Sequence, residues 1–135
     1  MLSNLTKYYK SPSNFRGVFC LTLFFISFVS FAQPQLKLKE LKKNFGFVKK
    51  GEVIKMEFYF TNSGDLPLII SKTEVECSCT TVTFPQEPIL PKETAKIVVS
   101  FDTKSVYDRQ DRVVEIISNA KNSNQKIRFK GVVLK

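Results

Sequence analysis

The sequence predicts an all-β domain, an antiparallel sandwich of about seven strands, and three observations predict it. Apolar residues alternate with polar ones in short runs, the signature of strands with one face on a core. The runs recur at spacings of about 8–15 residues with turn residues between them, as in sandwiches. No stretch beyond the N-terminal segment keeps a helical period, and no βαβ alternation occurs. Seven strands over about 100 residues match an immunoglobulin-like domain in size. The chain has no tryptophan and three cysteines in all, none placed to bridge two sheets, so such a domain packs its core without the antibody hallmarks.

A signal peptide is predicted ahead of the domain. Lys7, Lys10 and Arg16 precede an uncharged run, Gly17–Gln33, with an apolar core Val18–Phe31. That core is about 14 residues long, short of the roughly 20 a spanning helix needs. It ends in Ser30-Phe31-Ala32, small residues at the two positions a signal peptidase reads. Cleavage is expected between Ala32 and Gln33, giving residues 1–32 as signal peptide and 33–135 as the Ig-like β-sandwich. Cys20 follows Phe19 near the start of the run, so it reads as a hydrophobic member of the leader rather than a lipid-attachment site. Losing three of the 21 basic residues leaves 18 against 12 acidic ones, a net +6.

Within the domain, Leu36 and Leu38 alternate with Lys37 and Lys39, which favours an edge strand. Gly46 between Phe45 and Phe47 suggests a bulge that brings both rings to the core. Lys49–Glu52 reads as a turn. Val53–Asn62 is the clearest strand, with Ile54, Met56, Phe58 and Phe60 on one face. Asn62–Asp65 is a turn in which Gly64 can take positive φ. Leu66–Glu76 resumes as a strand, with apolar contacts expected from Leu68, Ile70 and Val75. Thr80–Phe84 is β-branched and extended. Pro85, Pro88 and Pro91 oppose both helix and sheet, which predicts a crossover loop pinning Ile89 and Leu90 against the sandwich. Thr94–Thr103 and Asp111–Ser118 are strands joined by a polar loop. Gln125–Leu134 closes the domain, with a bulge expected at Gly131.

Composition excludes several functions. The chain has no histidine, so His-based triads, His metal ligands and a His general base are absent. There is no phosphate-cradling glycine loop. The lysines are spread over strand faces and turns without interleaved stacking aromatics, so no nucleic-acid role is expected. Asp102, Asp108 and Asp111 lie near Arg109 and Arg112, but their spacing is not that of a calcium loop and reads as a solvated turn.

Cys77 and Cys79 are the candidate redox or disulfide pair. Export would place them where disulfides persist. In a flat strand, residues i and i+2 stand about 6.6–6.8 Å apart. A disulfide wants Cβ atoms about 3.5–4.5 Å apart, so closure needs a bend at Ser78. Three readings stand: a structural or local pair, a redox-active dithiol, and a soft-metal site. Lys72 would favour a thiolate and Glu74 and Glu76 would oppose it. Two thiolates alone do not complete a tetrahedral zinc site.

The motifs in order resemble one family. They are Phe45-Gly46, Phe58-x-Phe60-Thr61-Asn62-x-Gly64, Pro67-Leu68-x-Ile70, Cys77-x-Cys79-Thr80, Pro88-Ile89-x-Pro91 and Val99-x-Phe101-Asp102-Thr103. Together they look like bacterial domain of unknown function 1573, related to hydin-type and major-sperm-protein-like domains. The resemblance implies an Ig-like sandwich in exported bacterial proteins with no established catalytic activity. Ser78 stands where the family pattern has glycine between the cysteines, and Lys92 stands in its Pro-Gly turn. The function expected is a non-enzymatic protein-binding or scaffolding module of the envelope, periplasmic or extracellular. It would need no cofactor or metal, bind a protein partner, and have no membrane span once the leader is removed. The alternative is a thiol-dependent redox or soft-metal-handling protein built on Cys77 and Cys79.

Overall fold

The computed structural model describes residues 32–135, so the predicted leader lies outside the described residues except for Ala32. The strands are β1 (Leu36–Leu38), β2 (Lys42–Lys49), β3 (Val53–Asn62), β4 (Ile70–Val75), β5 (Thr80–Thr83), β6 (Thr94–Asp102), β7 (Asp108–Ser118) and β8 (Asn124–Leu134). They form two four-stranded sheets, ordered β1-β3-β6-β5 and β2-β8-β7-β4. The lead-in segment therefore contributes to both sheets. β1 pairs antiparallel with β3, and β2 then crosses over to pair parallel with β8. The expected purely antiparallel sandwich of about seven strands is thus corrected to eight strands, with one parallel pair.

Alternation builds the core. On β3, Met56, Phe58 and Phe60 are buried while Tyr59 faces out. Phe58 lies opposite Ile97 and Met56 opposite Val99 across the β3–β6 ladder, so each rung adds two apolar side chains to one face. From the other sheet come Val114, Ile116, Ile127 and Phe129. The Phe101 and Phe129 rings meet across the interior at 5.2 Å between centroids, tilted by 59°. Such offset contacts suit ring quadrupoles better than flat stacking.

Asn62 closes the upper end. It is fully buried. Its Oδ1 accepts from the backbone N–H of Gly64 at 3.0 Å and of Gln35 at 3.3 Å. Its Nδ2 donates to the carbonyls of Leu66 at 2.7 Å and Ile89 at 3.0 Å. One amide thus ties the lead-in, the β3–β4 turn and the proline loop together, with all four of its bonding positions used. Gly64 beside it does not adopt positive φ; a Cβ there would run into the backbone of Gln33 and Gln35. Close approach, not a left-handed turn, is what demands glycine there.

Other expectations are corrected. Residues 66–69 are not part of β4; Leu68 makes one isolated bridge with Ile89, β4 starts at Ile70, and after a bulge its ladder is regular from Lys72. Leu68, Ile70 and Ile89 are buried as expected, but Leu90 and Val75 are exposed. The proline loop pins one residue rather than two. Gly131 sits in continuous register with Gln110. The bulge belongs to β2, between Asn44 and Gly46, and a Cβ on Gly131 would strike the Phe45 ring.

Candidate functional site: a strand edge beside a disulfide

β4 stops at Val75, opposite Val114, and the chain must then cross from one sheet to the other to start β5 at Thr80. Glu76–Cys79 makes that crossing. Thr80 N donates to the Cys77 carbonyl at 3.1 Å, closing a tight turn over Ser78. Asp102 N donates to the Cys79 carbonyl at 2.8 Å, fastening the turn to β6. The bend brings the two Cα atoms to 5.2 Å, and Cys77 and Cys79 are joined by a disulfide. Cys79 N also donates to Cys77 Sγ at 3.1 Å. Both cysteines are half-buried, Cys79 against the core, while Ser78 is exposed.

This arrangement has one kind of covalent chemistry open to it, thiol–disulfide exchange. A thiolate attacks one sulfur, the S–S bond breaks, and the other sulfur leaves as a thiolate. The N–H of Cys79 would stabilise charge arriving on Cys77 Sγ. Lys72 does not serve the pair. Its ammonium is 2.7 Å from Glu74 Oε1, and that hydrogen bond holds the lysine above its ordinary pKa. Among the described residues no group of three or more His, Cys, Asp or Glu is placed to hold a metal ion.

The aspartate cluster also resolves into ordinary roles. Asp111 accepts from Arg128 Nε at 2.6 Å, and Asp102 Oδ1 accepts from Lys104 N at 2.9 Å. β7 starts at Asp108 rather than Asp111, so the supposed turn is strand. Arg112 consequently shares the inward face with Val114 and Ile116. Its Nη2 donates to Gln110 Oε1 at 3.0 Å, and its Nε is buried without a partner among the described residues. The period of two running back from Ile116 already placed Arg112 inside. The neighbouring charges obscured it.

The sheets have four edges, and they differ. β1 has three residues and β5 four, too short to template much. β2 has eight, but it is bulged and carries Lys42, Lys43 and Lys49, the devices that blunt an edge. β4 is paired only with β7. It too is bulged, between Ile70 and Lys72; from Lys72 to Val75 it runs in regular register, and its outward charges Lys72 and Glu74 cancel each other. Of the two longer edges it is the one without a row of lysines, its single lysine being neutralised by Glu74, and it leads directly into the disulfide turn.

Phe47 was missed. Gly46 takes φ 74°, its N–H donating to Asn44 Oδ1 at 2.9 Å. The bulge shifts the alternation by one, so Phe45 packs on Phe101 while Phe47 is 76% exposed. The expectation that both rings reach the core is corrected for Phe47. An Asn two residues before a Gly was the available signal, since that pair favours a left-handed step.

Two packed four-stranded sheets, with a lead-in that switches between them, define an immunoglobulin-like β-sandwich. Within that class the chain belongs to the family described as protein of unknown function DUF1573, whose model matches residues 36–133. No curated protein matches the sequence. Among solved structures, a protein of unknown function from Porphyromonas gingivalis W83 is similar with TM-score 0.68 and 18% identity, over 77% of this chain. The chain spans 49% of that protein's length. The human CEP192 ASH/PapD-like domain 7 is similar with TM-score 0.61 and 9% identity, covering 100% of this chain and 96% of that one. The Escherichia coli chaperone DraB gives TM-score 0.55 at 9% identity, over 73% of this chain and 54% of that one. These likenesses establish the fold. No helix among the described residues is long and apolar enough to cross a membrane.

Proposed function

We propose that this domain is a non-catalytic protein-binding module of the bacterial envelope, exported by its leader, that takes an extended segment of a partner along the open edge of β4. The observation that carries the reading is that edge: a strand paired on one side only, with neutralised outward charges and regular register from Lys72 to Val75. Main-chain hydrogen bonds to an added strand supply affinity, and side-chain alternation supplies selectivity. The PapD-like and chaperone neighbours support the reading through their shared sandwich.

The thiol-dependent reading keeps a place because the disulfide lies at the end of the same edge. Metal handling would require the pair to be reduced first, since the thiolate is the ligand. Affinity capture with three forms of the protein separates the two readings. The binding reading predicts the same partner on wild type and on Cys77→Ser/Cys79→Ser, and its loss from Ser71→Lys/Glu74→Lys, which makes the edge cationic. Loss with the cysteine variant and retention with the lysine variant would favour exchange chemistry instead.

A further inference from the structure

We infer that the corner formed by β2, the end of β8 and the loop before β7 is a contact face for an anionic lipid surface, with Phe47 as its inserting side chain. This goes beyond the β4 reading and does not depend on it.

The face is contiguous. Phe47 on β2 lies beside Val132 on β8, and Val132 lies beside Arg109 on β7. Two residues along, Lys49 is paired with Leu134, and Lys50 N donates to the Leu134 carbonyl at 3.0 Å. The ammonium groups of Lys50 and Lys135 stand 6.0 and 5.2 Å from the centroid of the Tyr107 ring. Phe47, Leu134 and Tyr107 are all exposed. Around these apolar groups stand Lys49, Lys50, Arg109 and Lys130, and among the described residues none of the four is in an ion pair. Glu52 and Asp108 border the face. Asp111, the cross-strand neighbour of Lys130, is engaged by Arg128.

The shape selects the partner. Single exposed hydrophobes are common and need no explanation. Here the sequence Asn44-Phe45-Gly46-Phe47 places a positive-φ residue so that one phenylalanine turns inward and the next turns out. The hollow beside Phe47 is about 250 Å³, open, and floored by Gly46 and Gly131. That is smaller than the roughly 300–1,000 Å³ of ordinary ligand clefts. A hollow of this size takes at most a single side chain, while the Phe47 ring beside it is 76% exposed and is the larger apolar group offered to a partner. An aromatic tip ringed by cations matches a phase that is apolar inside and anionic at its rim, as a lipid headgroup layer is.

The test uses the Ala32–Lys135 unit, which contains the complete two-sheet core and lacks the apolar Val18–Phe31 run that would itself partition into lipid. Sedimentation is measured with vesicles of phosphatidylcholine alone and with phosphatidylglycerol added. Binding is expected only to the anionic vesicles, weakening as salt rises. Phe47→Ser should lower it at least about tenfold, and Lys49→Gln/Lys130→Gln about tenfold or more, from roughly fivefold per basic residue at an anionic surface. Lys37→Gln/Lys39→Gln, on the other sheet, should leave it unchanged within about twofold. The inference is overturned by absence of vesicle binding, by Phe47→Ser binding like wild type, or by equal loss in the Lys37/Lys39 variant. It is also overturned if polyglutamate binds in place of vesicles in a Phe47-dependent way, which would make the face a site for acidic protein.

Discussion

Asn62 shows what one side chain can hold. Its four hydrogen bonds join three segments of backbone; the Gly64 N–H and the Ile89 carbonyl are interior, the latter also accepting from Leu68 N–H, while the Gln35 N–H and the Leu66 carbonyl lie nearer the surface. Orphaning such groups costs about 1–3 kcal/mol apiece. Asn62→Leu should therefore lower unfolding free energy by about 3 kcal/mol or more in urea titrations, a large share of the roughly 5–15 kcal/mol typical of a domain. A loss below about 1 kcal/mol would mean water replaces the amide. The Asn-x-Gly turn was legible from residue type. Its burial was not, because the groups that cover Asn62 come from Leu66 and Ile89, and no local pattern announces them. A second residue-scale prediction concerns Glu57. Hydrogen bonds from Lys96 at 2.6 Å and then Tyr59 at 2.7 Å hold its carboxyl below the ordinary range. A depressed folded-state value stabilises the fold above the ordinary carboxylate pKa, and that contribution fades as pH falls through the folded value. Lys96, raised by the same bond, contributes below the ordinary lysine pKa and loses its share as pH rises through the folded one. All three groups lie at the surface, so the effect on stability is small. A carbon-13 titration should show the Glu57 midpoint rising in Lys96→Met. An unchanged midpoint would mean the pair does not persist in solution.

At the scale of elements, β2 separates what pattern reveals from what packing decides. Its alternation is visible in the sequence, but one bulge inverts the faces of everything after it. Phe45 can occupy its position only because Gly131 across the pair leaves the room. Gly131→Ala should cost about 1–3 kcal/mol through overpacking. Phe45→Leu should recover part of that loss, a non-additivity that a double-mutant cycle measures directly. Simple additivity would place the strain elsewhere. The disulfide turn behaves differently. The ring closed by Cys77 and Cys79 spans three residues, so on a chain-entropy estimate it constrains the unfolded chain by at most about 2 kcal/mol. Cys77→Ser/Cys79→Ser should fold normally and unfold within about 2 kcal/mol of wild type in denaturant. Failure to fold would make the pair a structural staple. The need for a bend at Ser78 followed from strand spacing alone; the anchorage of that bend on β6 required the three-dimensional register.

For the whole molecule, the two-sheet sandwich was legible because the middles of β3, β6 and β8 bury alternate residues: Met56, Phe58 and Phe60; Ile97, Val99 and Phe101; Ile127 and Phe129. The parallel β2–β8 pair was not legible. It arises because the lead-in changes sheets between Leu38 and Lys42, and alternation records which face is buried but not which neighbour supplies the hydrogen bonds. That crossing has a functional consequence. It covers β8 with the lysine-rich β2 and leaves β4 as the edge of that sheet whose charges are neutralised. The central claim is that this edge receives a partner's extended segment. Photo-crosslinking in intact cells tests it most directly, with the reactive group placed at Lys72 on β4 and, in a parallel protein, at Thr83 on the short β5 edge. The account predicts one discrete crosslinked species from Lys72, absent from Thr83 and retained when Cys77 and Cys79 are serine. The same species from both positions, or none from Lys72, would contradict it.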